Sequence, residues 1–129
     1  MSRERQAITA EGAPRAIGPY AQAVVAGEFV FCAGQVGIDP ASGRLVAGGI
    51  EAETARVLEN LSAVLAAAGL GLGDVVKTTV YLADLGEFAD MNAVYGRYFS
   101  PPYPARATIG VAALPAGARV EIEAVAARR

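Results

Sequence analysis

Thr54, Val57, Leu58, Leu61, Val64, Leu65 and Ala68 recur at three- and four-residue spacing. That period predicts an amphipathic helix of about four turns with one apolar face that has to be covered. Glu51 and Glu53 fall in its expected first turn, where the helix dipole favours anions. Gly69 is placed to close it as a left-handed cap. Glu53, Arg56, Glu59, Asn60 and Ser62 are expected on the solvent side. A lone helix of this kind is not a fold; its apolar stripe needs a second layer.

The rest of the chain supplies that layer. Tyr20–Val25 and Phe29–Ala33 read as two short strands split by Ala26-Gly27-Glu28, and 35–49 as a loop carrying the Asp39-Pro40 and Ser42-Gly43 turn signals. Val75–Leu82 is β-branched and aromatic, as strands are. A second helix is expected from about Phe88 to Phe99, with Phe88, Met91, Tyr95, Tyr98 and Phe99 on its apolar side and Pro101, Pro102 and Pro104 ending it. Two last strands, about Ala105–Val111 and Arg119–Ala126, are joined through Leu114-Pro115-Ala116-Gly117. The order is ββαβαββ: an α+β fold in which two helices cover one face of a mostly antiparallel sheet. With 129 residues and no internal repeat, one domain over 1–129 is expected.

Strand side chains alternate between faces. Val120, Ile122 and Ala124 form one set and Arg119, Glu121 and Glu123 the other; likewise Ala107, Ile109 and Val111 alternate with Arg106, Thr108 and Gly110. Giving the apolar sets to the helices leaves Arg106, Thr108, Arg119, Glu121 and Glu123 on the bare face, joined by Lys77, Thr79 and Tyr81 if the register agrees. The chain is 53% hydrophobic and only 19% charged, more apolar than a small monomer surface needs. The bare face is therefore expected to close against other copies, leaving polar residues in clefts between subunits.

Composition removes several chemistries. There is no histidine, which excludes Ser-His and Cys-His catalysis and any His-ligated metal. The single cysteine, Cys32, excludes intrachain disulfides and Cys clusters for zinc or iron–sulfur binding, and reads as a small buried hydrophobe. Lys77 is the only lysine, hence the only Schiff-base candidate, and reads as a solvated or ion-paired strand residue. A net charge of −2 carries no broad footprint for nucleic acid. The Gly-rich stretch 69–73 follows a helix and precedes a strand, the reverse of a phosphate loop. Met1 to Ala10 is charged without an apolar run, and no stretch has membrane-spanning length, so a soluble, cytoplasmic protein is expected.

Several segments, in order, resemble the RidA (YjgF-type reactive intermediate deaminase) family. Ala16-Ile17-Gly18-Pro19-Tyr20-Ala21-Gln22-Ala23 is similar to its N-terminal signature, and Cys32-Ala33-Gly34-Gln35 to its Ser-Gly-Gln segment with alanine for serine. Val76–Leu82, Asn92-Ala93-Val94-Tyr95 with Tyr98-Phe99, Pro104-Ala105-Arg106, Leu114-Pro115 and Val120-Glu121-Ile122-Glu123-Ala124 match its later blocks. Ala107-Thr108 stands where many members carry Ser-Cys or Ser-Thr.

The resemblance implies a chorismate-mutase-like fold of the bacillus type, a homotrimer with sites between subunits, and no metal or organic cofactor. It implies hydrolysis of 2-iminobutanoate and 2-iminopropanoate to 2-oxo acids and ammonia. A non-catalytic 2-oxo acid-binding or chaperone-like module is the alternative, and RNA cleavage a more distant one. Arg106 matches the arginine that binds the substrate carboxylate and Glu121 the acid that positions or activates water. Tyr20, Gly34, Asn92 and Thr108 would line the pocket.

Each residue also has a structural reading: an ion pair with Glu121 or Glu123 for Arg106, an aromatic packed at a strand start for Tyr20, and a partner for a loop backbone group for Asn92. Glu123 shares the expected face of Glu121 and competes for its role.

Overall fold

A computed structural model describes residues 4–128; of the domain expected over the whole chain, Met1–Arg3 and Arg129 lie outside the described residues. The expected helix runs as α1, Gly49–Ala67. It ends as the sequence indicates: Gly69 takes a positive φ of 78°, its N–H bonds Ala66 O at 2.9 Å, and Leu70 N–H reaches back to Leu65 O at 2.8 Å. Val57, Leu58, Leu61, Val64 and Leu65 are wholly buried. Beneath them lies a sheet built from β1 (Gln6–Ile8), β2 (Ala23–Ala26), β3 (Phe29–Val36), β6 (Val75–Leu82), β7 (Ala105–Gly110) and β8 (Val120–Ala127). A small separate ladder joins β4 (Ile38–Asp39) to β5 (Arg44–Leu45). The second helix, α2, is Phe88–Tyr98.

The sheet order is β1-β2-β3-β8-β6-β7, antiparallel except for the β6–β7 pair. Four elements depart from the sequence reading. β1 was not expected. β4 and β5 lie inside the stretch read as a loop. The strand expected from Tyr20 begins at Ala23, leaving Tyr20 in the preceding turn.

Register settles which residues share a face. Thr78, Val80 and Leu82 pair with Ala124, Ile122 and Val120, and all six lie under the helices. Thr79 and Tyr81 pair with Glu123 and Glu121 on the other face, as the alternation predicts.

β7 corrects the expectation. Arg106 and Thr108 pair with Thr78 and Val80, so they share the helix-covered face, while Ala107 and Ile109 lie on the bare one. The bare face is consequently more apolar than the sequence reading gave it: Phe29, Phe31 and Ile109 are 44%, 48% and 45% exposed there.

Two polar residues of α1 assigned to the solvent side are buried instead. Glu53 Oε1 accepts the Arg119 backbone N–H at 2.8 Å, and Asn60 donates to the carbonyls of Val36 and Ile38 at 3.2 and 2.9 Å. Each ties the helix to a chain end of the sheet, so each satisfies backbone groups that burial would otherwise orphan.

Candidate active site

Phe88, Asn92 and Tyr95 fall at i, i+4 and i+7 of α2, one face of a helix. That face meets Arg106 on the edge strand β7. Nη1 of Arg106 donates to Asn92 Oδ1 at 2.8 Å, and the guanidinium lies 4.7 Å from the Tyr95 ring centroid and 5.5 Å from that of Phe88. Tyr95 is fixed in turn by a 2.7 Å hydroxyl contact with buried Thr78. Arg106 makes no ion pair among the described residues. The guanidinium is thus oriented by a neutral carboxamide and two rings, which leaves its charge and most of its five donors unspent. It opens on a cleft of about 430 Å³ that Asn92, Tyr95, Gly96, Tyr103 and Pro104 also line. A half-buried guanidinium without an anion, opening on a cleft, has the charge and geometry to pair with a carboxylate.

Glu121 lies on the opposite face of the sheet, so one protomer does not bring it to Arg106. It pairs with Val36 of β3, next to a bulge between Cys32 and Gln35. The bulge brings Gly34 against the Glu121 carboxylate: a Cβ at Gly34 would stand 2.9 Å from Glu121 Cδ. Burial, and secondarily the neighbouring Glu123 carboxylate, push the Glu121 carboxyl above the ordinary carboxylate range. Glu123 is engaged elsewhere, accepting the Tyr81 hydroxyl at 2.6 Å. Gly34 also lines a second cleft, of about 420 Å³, with Tyr20, Arg15 and Gln35. Tyr20 is exposed there, its hydroxyl accepting the Ile17 N–H at 3.3 Å across the Gly18-Pro19 turn.

Comparison with known proteins gives these two clefts a setting. The family model described as Endoribonuclease L-PSP matches residues 10–128. The chain belongs to the YjgF/RidA family. It is 54% identical to protein DfrA of Myxococcus xanthus, over 95% of each chain. It is 50% identical to the human 2-iminobutanoate/2-iminopropanoate deaminase, over 95% of this chain and 89% of that protein. The crystal structure of E. coli TdcF with bound serine superposes with a TM-score of 0.91 at 41% identity, covering 96% of this chain and 99% of that one.

In this YjgF/RidA chain the expected site residues separate into Arg106 with Asn92 on one side of the sheet, and Tyr20, Gly34 and Glu121 on the other. Thr108 shares the face of Arg106 but does not line its cleft. Asn92 holds the arginine rather than a loop backbone group, and the ion-pair reading of Arg106 does not hold. Tyr20 is not packed at a strand start. Cys32 is buried in the core, which raises its thiol to about 11. Lys77 donates to Thr79 Oγ1 at 3.1 Å.

Tyr95, Gly96, Tyr103 and Pro104 line the cleft without having been named as site residues from the sequence; the i, i+3 spacing of Tyr95 from Asn92 was the available signal. Among the described residues no cluster of three or more His, Cys, Asp or Glu could hold a metal, and no helix is long and apolar enough to cross a membrane.

Proposed function

We propose that the protein hydrolyses 2-imino acids, 2-iminobutanoate and 2-iminopropanoate among them, to 2-oxo acids and ammonia, in sites completed between subunits of a homotrimer. The observation that carries the reading is Arg106: a guanidinium held flat by Asn92 and Tyr95 with no acid to neutralise it. The activity named for the human relative, and the serine bound to TdcF, both involve small molecules bearing a carboxylate.

The carboxylate of the substrate seats in the Arg106 fork, which fixes the imine carbon in space. Water adds to that carbon while Glu121, from the facing subunit, accepts a proton. Glu121 then returns its proton to the nitrogen, the carbon–nitrogen bond breaks to release ammonia, and the carboxylate takes up the proton of the added hydroxyl as the carbonyl forms. A protonated imine is already electrophilic, so positioning and one proton acceptor suffice, and no cofactor is called for. Burial raises the Glu121 carboxyl, which makes it a better proton acceptor than an ordinary glutamate and suits it to that task. The ribonuclease reading suggested by the family description is disfavoured by a chain without histidine and with a net charge of −2.

Two observations support the assembly. Arg106 and Glu121 lie on opposite faces, so a substrate touching both needs two protomers. The exposed Phe29, Phe31 and Ile109 give the bare face the apolar area an interface needs. Sedimentation equilibrium at micromolar concentration should return three times the chain mass; a stable monomer overturns the shared site. The activity itself is tested by generating 2-iminobutanoate in situ with an amino acid oxidase and following 2-oxobutanoate. The protein should accelerate its release and suppress trapping of the imine by semicarbazide. An unchanged rate alongside tight 2-oxobutanoate binding would favour the binding module.

A further inference from the structure

The cleft beside Gly34 contains a second cation that the reaction above does not use. Arg15 lines it together with Tyr20, Gly34 and Gln35. Among the described residues Arg15 makes no ion pair. Glu11 borders the adjoining groove that Arg15 also lines, without pairing with it. The lining of the Gly34 cleft includes no acidic residue and no other basic one. Gln35, only 7% exposed, also lines it.

The backbone carrying Arg15 is fixed rather than loosely draped. The buried Gln22 carboxamide accepts the Ala10 N–H at 2.6 Å and donates to the carbonyls of Ala10 and Pro14 at 3.1 and 2.7 Å. The last of these bonds is on the residue before Arg15. Arg15 is exposed, and its guanidinium is left without an anion at the mouth of this cleft, where a single fork matches a carboxylate.

We propose that Arg15 binds a second carboxylate on the substrate, so that the protein takes 2-imino dicarboxylates of four or five carbons as well as the monocarboxylates. This rests on the deaminase reading. Arg106 holds the carboxylate next to the imine, Glu121 lies against Gly34 at the reacting carbon, and the chain beyond that carbon points along the cleft to Arg15. Hydrolysis balances as before: water supplies the carbonyl oxygen, ammonia leaves, and the distal carboxylate is unchanged. The class of reaction feeding such a site is two-electron oxidation of an amino dicarboxylate, or loss of water from a β-hydroxy amino dicarboxylate, to the free imine.

The test compares 2-iminosuccinate, made in situ from aspartate by an aspartate oxidase, with 2-iminobutanoate. The ratio of the two kcat/KM values is read on one preparation, so it does not depend on the fraction folded. Arg15→Ala should lower the ratio on the order of tenfold, the worth of one charge-assisted hydrogen bond. Arg15→Lys should restore part of it, and Arg15→Glu should lower it further. Oxaloacetate should compete better than 2-oxobutanoate with the parent protein and lose that advantage in Arg15→Ala. Turnover of 2-iminobutanoate with a ratio unmoved by Arg15→Ala overturns this proposal alone. No turnover of either imine by the parent protein overturns the deaminase reading and this proposal with it.

Discussion

Arg106→Ala should lower imine hydrolysis by roughly a hundredfold or more, the effect of removing a charge-assisted pair from a desolvated site. The side chain supports little else. It sits on an edge strand and, among the described residues, forms no ion pair and makes one side-chain hydrogen bond, to Asn92. The variant should therefore keep its far-ultraviolet spectrum and its sedimentation behaviour while losing turnover and 2-oxobutanoate binding together. Arg106→Lys should recover little. An ammonium offers a point charge where the site presents a planar fork, and it stacks less well on the Tyr95 and Phe88 rings. Asn92→Ala should lie between the two, because the guanidinium would keep its rings but lose the bond that sets its rotation. Steady-state kinetics across the three variants decides the matter. Near-parental turnover in Arg106→Ala would mean that the carboxylate binds elsewhere.

What could be read from the sequence depended on how strongly each local pattern separates inside from outside. α1 was legible because five wholly buried side chains repeat at helical spacing and a glycine stands where the chain must turn left-handed. β8 was legible because acids alternate with Val120, Ile122 and Ala124, and charge against aliphatic leaves one choice of face. β7 offered no such contrast. It is an edge strand, and its helix-side residues lie at the rim of α2, where an arginine can stack on Tyr95 while keeping access to solvent. Taking its apolar set as the inner one therefore inverted it, and placed Arg106 on the face of Glu121. Glu53 and Asn60 misled for a related reason: polarity marks a side chain as outward unless its partner is known, and theirs are backbone groups far along the chain. β1, β4 and β5 are two or three residues long and defined by nonlocal pairing, which no local period records. The resemblance supplied the identity of Arg106, Tyr20, Gly34 and Glu121, but only the register shows that Arg106 and Glu121 lie on opposite faces of the sheet.

Glu121→Gln should bind 2-oxo acids normally yet hydrolyse imines slowly, whereas Glu123→Gln should keep most of the activity. The two carboxylates share a strand and a face, but their surroundings differ. Glu123 is held by the Tyr81 hydroxyl at 2.6 Å, while Glu121 lies against Gly34, whose missing side chain makes room for its carboxylate. An amide at 121 still hydrogen-bonds but accepts a proton far less readily, so loss of kcat with retained product affinity is the signature. Replacing Glu123 should cost within about 1 kcal/mol of stability, as for a solvated contact.

The pH profile adds an independent reading. Glu121 titrates above the ordinary carboxylate range, first through burial and then through the Glu123 charge. The base must be ionised to work, so activity should fall as pH drops through that raised value, earlier than an unperturbed glutamate would allow. Glu123→Gln removes the second cause, so the acid limb should move to lower pH while the plateau stays. Equal turnover in the parent protein and Glu121→Gln would remove the catalytic role and leave Arg106 as a ligand anchor. A deep loss confined to Glu123→Gln would assign the water to the other carboxylate.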